Sequence, residues 1–185
     1  SANLIRRPKV MNYCSQCSHP VELKIPEGDH LPRHICTSCG VIHYANPRII
    51  AGCLPVYEDK VLLCKRNIEP RFGYWTLPAG FLENGETIEQ GAMRETWEEA
   101  QATVEILSLY TMTSLVHAHQ VQIFYLARMT EPSFGPTSES SEVRLFSEDE
   151  IPWDQLSFPT VENALKQFFA DRRETGRYPL YRIGL

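Results

Sequence analysis

From residue 49 onward, apolar positions fall in short runs whose period switches between two and about three and a half. Ile49-Ile50-Ala51-Gly52-Cys53-Leu54-Pro55-Val56-Tyr57 is a continuous β-prone run. Glu58-Asp59-Lys60 breaks it as a turn, and Val61–Arg66 predicts a second strand. Tyr74-Trp75-Thr76-Leu77 predicts a short third strand, closed by Pro78-Ala79-Gly80. Thr103–Thr113, Gln120–Met129 and, more briefly, Val143–Phe146 alternate as strands do. Two segments carry helical spacing. One is Thr87–Ala100. The other is Phe158–Arg173, where Val161, Leu165, Phe168 and Phe169 recur on one side. Pro159 sits in the first turn of the latter, where a missing N–H costs little. Strands interleaved with a few helices predict a layered α/β core.

Residues 12–43 read differently. Val21–Ile35 is polar and rich in Pro and Gly, so it cannot bury much apolar surface. What stands out there is Cys14-Ser15-Gln16-Cys17, then eighteen residues, then Cys36-Thr37-Ser38-Cys39. Two residues between thiolates let a tight turn aim both sulfurs at one tetrahedral ion, so this spacing points to zinc on Cys14, Cys17, Cys36 and Cys39. Gly40 follows the second pair, where the turn needs positive φ. Structural zinc contributes roughly 10–16 kcal/mol to the folding of small modules. Two disulfides are the plainer alternative for an exported chain. His19, His30, His34 and His43 lie nearby and read as surface residues once four thiolates are placed. Cys53 and Cys64 lie in apolar strand runs and read as core packing. Asn46-Pro47 marks the hand-over, giving residues 1–45 as N-terminal segment and metal module and 46–185 as the second domain.

The chain has 185 residues, 43% of them hydrophobic and 22% charged, which is a globular balance. Its formal net charge of -5 argues against a bulk electrostatic hold on nucleic acid. No run of about 18 apolar residues occurs, so no membrane span is expected. Ser1–Pro8 has no apolar stretch long enough for a secretory core, and a cytoplasmic protein is expected.

The chemistry concentrates in residues 83–99, which hold Glu83, Glu86, Glu89, Glu95, Glu98 and Glu99 against the single cation Arg94. Like charges at helical neighbour spacing destabilise by roughly 0.2–0.5 kcal/mol per pair. Acids late in a helix are further disfavoured by its dipole. On a helical wheel Glu95, Glu98 and Glu99 share about one third of the circumference, with Gly91 on the same arc. Gly91 costs the helix about 1 kcal/mol relative to Ala and is expected to leave the carboxylates unobstructed. Ile88, Ala92, Met93, Thr96 and Ala100 make the adjacent, core-facing arc. A carboxylate stripe of this kind suits hard cations such as Mg²⁺ or Mn²⁺. For an isolated helix, a solvated acidic face is the plainer reading.

The wider frame changes that balance. Gly80, Glu86, Arg94, Glu95, Glu98 and Glu99 stand in register with G-x5-E-x7-R-E-U-x-E-E-x-G-U, so the stretch resembles the Nudix box. Gly73-Tyr74-Trp75-Thr76-Leu77-Pro78-Ala79 leads into it as it does in that family. The departures are Thr96 and Ala102 at two aliphatic positions, and Gln101 where Gly normally supplies a left-handed cap. With the four-Cys module ahead of it, the chain resembles Nudix hydrolases of the NADH pyrophosphatase branch and its relatives. The branch motif S-Q-P-W-P-F-P-x-S is absent; Ser108–Leu115 stands in its place. Cys64–Pro70, Gly91–Glu99, Arg144–Phe146 and Asp149–Pro152 look closer to plastid FAD and ADP-ribose pyrophosphatases.

That resemblance implies an α/β/α sandwich with a mixed sheet, preceded by a small zinc ribbon. It implies metal-dependent hydrolysis of a nucleoside diphosphate linked to another group, with FAD or ADP-ribose favoured and a nucleoside monophosphate released. NADH pyrophosphatase activity is one alternative. A second is a non-catalytic nucleotide sensor whose ribbon grips nucleic acid or protein. The resemblance places Mg²⁺ or Mn²⁺ on Glu95, Glu98 and Glu99, with the Gly80 carbonyl a further ligand, and makes Glu86 and Arg94 the ion pair that ties loop to helix. Glu142 is a candidate base or ligand, against a bland role as a loop acid. Arg66 is a candidate phosphate contact and Tyr74 or Phe72 a candidate base stack, while Trp75 reads as core. A homodimer is expected by analogy alone.

Overall fold

The computed structural model describes residues 11–184 and divides into two compact units, split between Pro47 and Arg48. The opening Ser1–Pro8 segment lies outside the described residues. Among the described residues no helix is long and apolar enough to cross a membrane.

The first unit is a three-stranded antiparallel sheet of β1 (Val21–Lys24), β2 (Arg33–Cys36) and β3 (Ile42–His43). Among its described residues the buried ones are Cys14, Ile35 and Cys36. So small an apolar interior cannot offset the entropy of ordering the segment, and a second source of stability is required. Gly40 has φ +71°, as the turn after the second cysteine pair demands.

The second unit is built on one mixed sheet. Its strands are β4 (Arg48–Tyr57), β5 (Lys60–Arg66), β6 (Trp75–Thr76), β7 (Ala79–Phe81), β8 (Val104–Leu115), β9 (Gln120–Met129), β10 (Ser140–Phe146) and β11 (Tyr181–Gly184). The order is β10-β5-β4-β9-β8-β11, with β6 on β5 and β7 on β4. β4 and β9 run parallel, from Arg48↔Gln120 to Val56↔Arg128. β11 adds to β8, also in parallel. Two helices cover the faces, α1 (Ile88–Ala100) and α2 (Pro159–Glu174). Leu54, Leu63, Trp75, Tyr110 and Phe124 pack against Val161, Leu165, Phe168 and Phe169 of α2. Ala51, Cys53, Leu62 and Cys64 pack with Ala92 and Ala100 of α1. The result is an α/β/α sandwich, the layout the resemblance implied. Cys53 and Cys64 are buried in it and Trp75 is core.

Several elements exceed their sequence-based bounds. β8 runs two residues past Thr113, β10 begins three before Val143, and β7 forms where only a turn was expected. β11 and the three ribbon strands were not foreseen. Each is a short or edge element whose pairing comes from a partner strand rather than from its own alternation.

α1 starts where Thr87 caps it. The Thr87 hydroxyl accepts from the Gln90 N–H at 3.1 Å, and the Gln90 side chain accepts from the Thr87 N–H at 2.8 Å. This reciprocal box satisfies two orphan donors. Thr87→Ala is expected to cost about 1 kcal/mol of unfolding free energy, read as a lower denaturant midpoint. The helix ends on Gln101, which itself takes the left-handed conformation at φ 52° and donates its N–H to the Trp97 carbonyl at 2.8 Å. Its side-chain amide also donates to the Pro136 carbonyl at 2.8 Å. The missing glycine therefore leaves the helix end intact. Thr96 is fully buried at its aliphatic position because its hydroxyl donates to the Ala92 carbonyl at 2.8 Å.

Candidate functional site

The sheet delivers two backbone segments to one face of α1. β7 pairs with β4 through Ile50↔Phe81, Ala51↔Gly80 and Gly52↔Ala79, which lays Ala79-Gly80-Phe81 along the helix. A Cβ at Gly80 would overlap the Glu95 carboxylate, so glycine there lets that carboxylate lie against β7. Gly91 serves a purpose other than the one its arc suggested. A Cβ at Gly91 would lie 2.7 Å from Leu82 Cδ1 and 2.9 Å from Glu86 Oε1, so its absence lets the box loop close on the helix.

The acidic stripe separates into two environments. Glu95 and Glu99 are buried, at 8% and 7% exposure, while the Glu98 side chain is half exposed. Burial pushes the Glu99 carboxyl up to about 8, against the pull of the Ala79 N–H, which donates to Glu99 Oε2 at 3.0 Å. Burial raises Glu95 too, countered by Arg94.

Arg94 is the hub. Its Nε and Nη2 reach both Glu86 oxygens at 2.9 and 2.7 Å, a bidentate pair that joins the box loop to the helix. Nη2 also donates to the Phe81 carbonyl at 3.1 Å. Nη1 donates to Glu95 at 2.8 Å and Glu98 at 3.1 Å. The Arg94 hydrogen bonds hold Glu86 down at about 2. With Glu86 satisfied in this way, its carboxylate is committed to structure.

A cavity of about 490 Å³ opens over this surface, lined by Arg66, Ile68, Ala79, Gly80, Phe81, Glu83, Arg94, Glu95, Glu98, Glu99 and Glu139. Five carboxylates face two guanidiniums, one of which is already paired. Arg66 comes from the end of β5. Burial lowers its pKa, opposed by Glu99, Glu139 and Glu69. Its Nε donates to the Pro70 carbonyl at 2.8 Å, and its guanidinium lies over Phe158. The donor types fit hard divalent cations: carboxylates line the cavity beside a glycine backbone, and two of them are buried where an uncompensated anion is costly.

Two expected residues lie elsewhere. Glu142 is exposed on β10 opposite Lys65 and does not line the cavity. The acid that lines the cavity at that edge is Glu139. A bulge between Ser140 and Glu142 decides the matter, and residue alternation cannot show it. Tyr74 is also outside the lining, covered by the Arg71 guanidinium at 4.3 Å from its ring centre. Ile68 and Glu83 in the wall sit in loops and Phe81 ends the three-residue strand β7, so no periodic signal marks any of them.

In the first unit the sulfurs of Cys14, Cys17, Cys36 and Cys39 all lie within 4.8 Å of one another. Cys14 and Cys39 sulfurs are 3.8 Å apart, and those of Cys17 and Cys36 are 3.4 Å apart, without a disulfide. The N–H of Gln16 points at Cys14 Sγ, and those of Ser38 and Cys39 at Cys36 Sγ. Against the cost of burial, those two N–H groups pull Cys36 below its ordinary value. Converging sulfurs with amide donors aimed at them fit a tetrahedral zinc ion. His43 is no bystander, for its Nε2 lies 3.3 Å from Cys14 Sγ.

Residues 46–171 match the NUDIX domain family model, and residues 12–45 match the zinc-ribbon model described as Nudix N-terminal. The NAD-capped RNA hydrolase of Chromobacterium violaceum is 31% identical over 142 residues, covering 76% of this chain and 51% of that protein. The ADP-ribose pyrophosphatase of Methanocaldococcus jannaschii is 26% identical over 113 residues, covering 59% of this chain and 67% of that protein. The chain spans about half the length of the NAD-capped RNA hydrolases it matches. A crystal structure of a NUDIX hydrolase from Nitrosomonas europaea superposes with a TM-score of 0.91 at 51% identity, covering 95% of this chain and 99% of that one. By fold, by the acidic helix under its glycine-lined wall and by these matches, the chain belongs to the Nudix hydrolase family and carries that family's N-terminal zinc ribbon.

Proposed function

We propose that this protein hydrolyses the diphosphate bridge of a nucleoside diphosphate joined to a second group, with FAD or ADP-ribose as preferred substrate. The observation that carries this reading is the cavity in which Glu95, Glu98 and Glu99 face Arg66 across a glycine-lined wall. Glu95, Glu98 and Glu99, with the Gly80 carbonyl, would hold Mg²⁺ or Mn²⁺. When bound, these cations supply positive charge against the phosphate oxygens and lower the pKa of a water molecule.

The protein's own groups do the positioning. Arg94 and the Ala79 N–H fix the rotamers of Glu95 and Glu99. Arg66 offers its guanidinium to a phosphate oxygen, and its partly desolvated state strengthens that contact. Glu139 faces the acidic helix and is placed to accept a proton from the attacking water. Water oxygen bonds to one phosphorus as the bridging P–O bond breaks. The products are a nucleoside monophosphate and the phosphorylated second group.

A second reading, NAD(H) or an NAD-bearing end, is favoured by the names of the ribbon-bearing relatives. The ribbon itself would be held by zinc on Cys14, Cys17, Cys36 and Cys39. A panel of FAD, ADP-ribose, NADH and NAD⁺ with Mg²⁺ or Mn²⁺, scored for AMP, decides between them. AMP release is expected from FAD or ADP-ribose, with no release when the cation is omitted. Silence across the panel would favour a nucleotide sensor that binds without cleaving.

A further inference from the structure

A second cavity, of about 470 Å³, adjoins the first and shares Glu98 and Glu139 with it. Its remaining walls are Trp97, Gln101, Thr137 and Ser138. None of these is used by the reaction as read above. Trp97 is 56% exposed and presents a large, rigid aromatic surface to this cavity. On the helical wheel Trp97 and Gln101 lie together, followed in order by Arg94, Glu98, Glu95 and Glu99. The indole is thus presented beside the acidic stripe, on the flank away from the buried acids.

The walls around it are held in place. Thr137 Oγ1 reaches back to the Glu99 carbonyl at 3.5 Å and accepts the N–H groups of Glu139 and Ser140, both at 3.2 Å. Gln101 Nε2 donates to the Pro136 carbonyl, and the Gly135 N–H donates to the Ala100 carbonyl at 2.9 Å. Asn67 grips the same loop, its N–H on the Glu139 carbonyl at 2.9 Å and its Nδ2 on the Ser138 carbonyl at 3.1 Å. A rigid loop facing an exposed aromatic plane is a preorganised slot for a flat ring. Gln101, one of the three residues that depart from the family box, forms part of its wall.

We propose that this slot receives a planar aromatic ring carried by the second group of the substrate, stacked on Trp97, with the diphosphate lying between the two cavities at Glu98 and Glu139. The proposal rests on the diphosphate-hydrolase reading and narrows it. Substrates with a ring at both ends, such as FAD and NAD⁺, gain a contact that ADP-ribose cannot make.

The test compares the full chain with Trp97→Ala and Trp97→Phe on FAD, NAD⁺ and ADP-ribose. A stack is worth enough that Trp97→Ala should raise KM for FAD, NAD⁺ or both by about tenfold, while ADP-ribose stays within about twofold and Trp97→Phe stays near the parent. Unchanged KM throughout, or an equal rise for ADP-ribose, overturns the proposal. If the parent protein releases AMP from none of them, the hydrolase reading fails separately. The slot is then read directly from the Trp97 indole N–H resonance. A shift on adding FAD or NAD⁺ but not ADP-ribose supports it, and no shift with either dinucleotide overturns it.

Discussion

Glu99→Gln is expected to lower the rate of AMP release by about a hundredfold to a thousandfold at saturating substrate and divalent cation, with the fold preserved. Gln keeps an oxygen to accept from the Ala79 N–H, so β7 stays docked on α1. What is lost is the charge, in a buried position where water cannot replace it. Glu98→Gln is expected to fall in the same range, although Glu98 is half exposed and held by Arg94. Near-normal turnover in both variants would show that neither carboxylate seats a cation.

The stability of Glu99→Gln carries an independent sign. Burial sets the Glu99 carboxyl at about 8, against an ordinary value of 4.5. Between those values the native chain retains a proton that the unfolded chain has released, so stability falls as pH rises through that window. Removing the carboxyl removes this loss. In cation-free buffer near pH ~7.5 the variant should unfold at the parent's temperature or above it, and any gain should shrink toward pH ~4. A lower unfolding temperature at neutral pH would mean that Glu99 stabilises the fold through its charge.

Loss of the ribbon metal is expected to be the largest single effect on folding. Replacing one cluster cysteine, as in Cys17→Ser, should abolish stoichiometric zinc and remove most amide protection from residues 11–47. The reason is that metal binding contributes roughly 10–16 kcal/mol in such modules, which is more than a small domain's whole stability. Among the described residues of this unit Ile35 is the one buried aliphatic side chain, so they offer no alternative core. Hydrogen exchange on the full chain, with zinc measured in the same sample, reads both quantities. Retained protection without zinc would overturn the metal's role.

The departures from the box show how local chemistry compensates for an altered residue. Gln101 adopts the left-handed cap that glycine would have supplied, at a steric cost, and ties its side chain to Pro136. Thr96 replaces an aliphatic residue and spends its hydroxyl on the preceding turn. Neither change disturbs Glu95, Glu98 or Glu99, because all three belong to a helix whose register is held upstream by Thr87 and Gln90.

Much of this was legible in the chain itself. Both helices, the long strands and the cysteine pairs follow from periodicity and spacing, which are properties of residues close in sequence. The acidic arc of α1 follows from the helical repeat in the same way. Tertiary structure decided the rest. Glu95 and Glu99 are buried while Glu98 is not, because β7 covers one side of the arc. Glu139 rather than Glu142 meets the cavity because a bulge shifts the register of β10 against β5. The exposed indole of Trp97 became a wall only when the loop at 135–139 was fastened to the end of α1. Each of these depends on pairing between segments distant in sequence, where a shift of one residue exchanges the faces of a strand and leaves the local pattern unchanged.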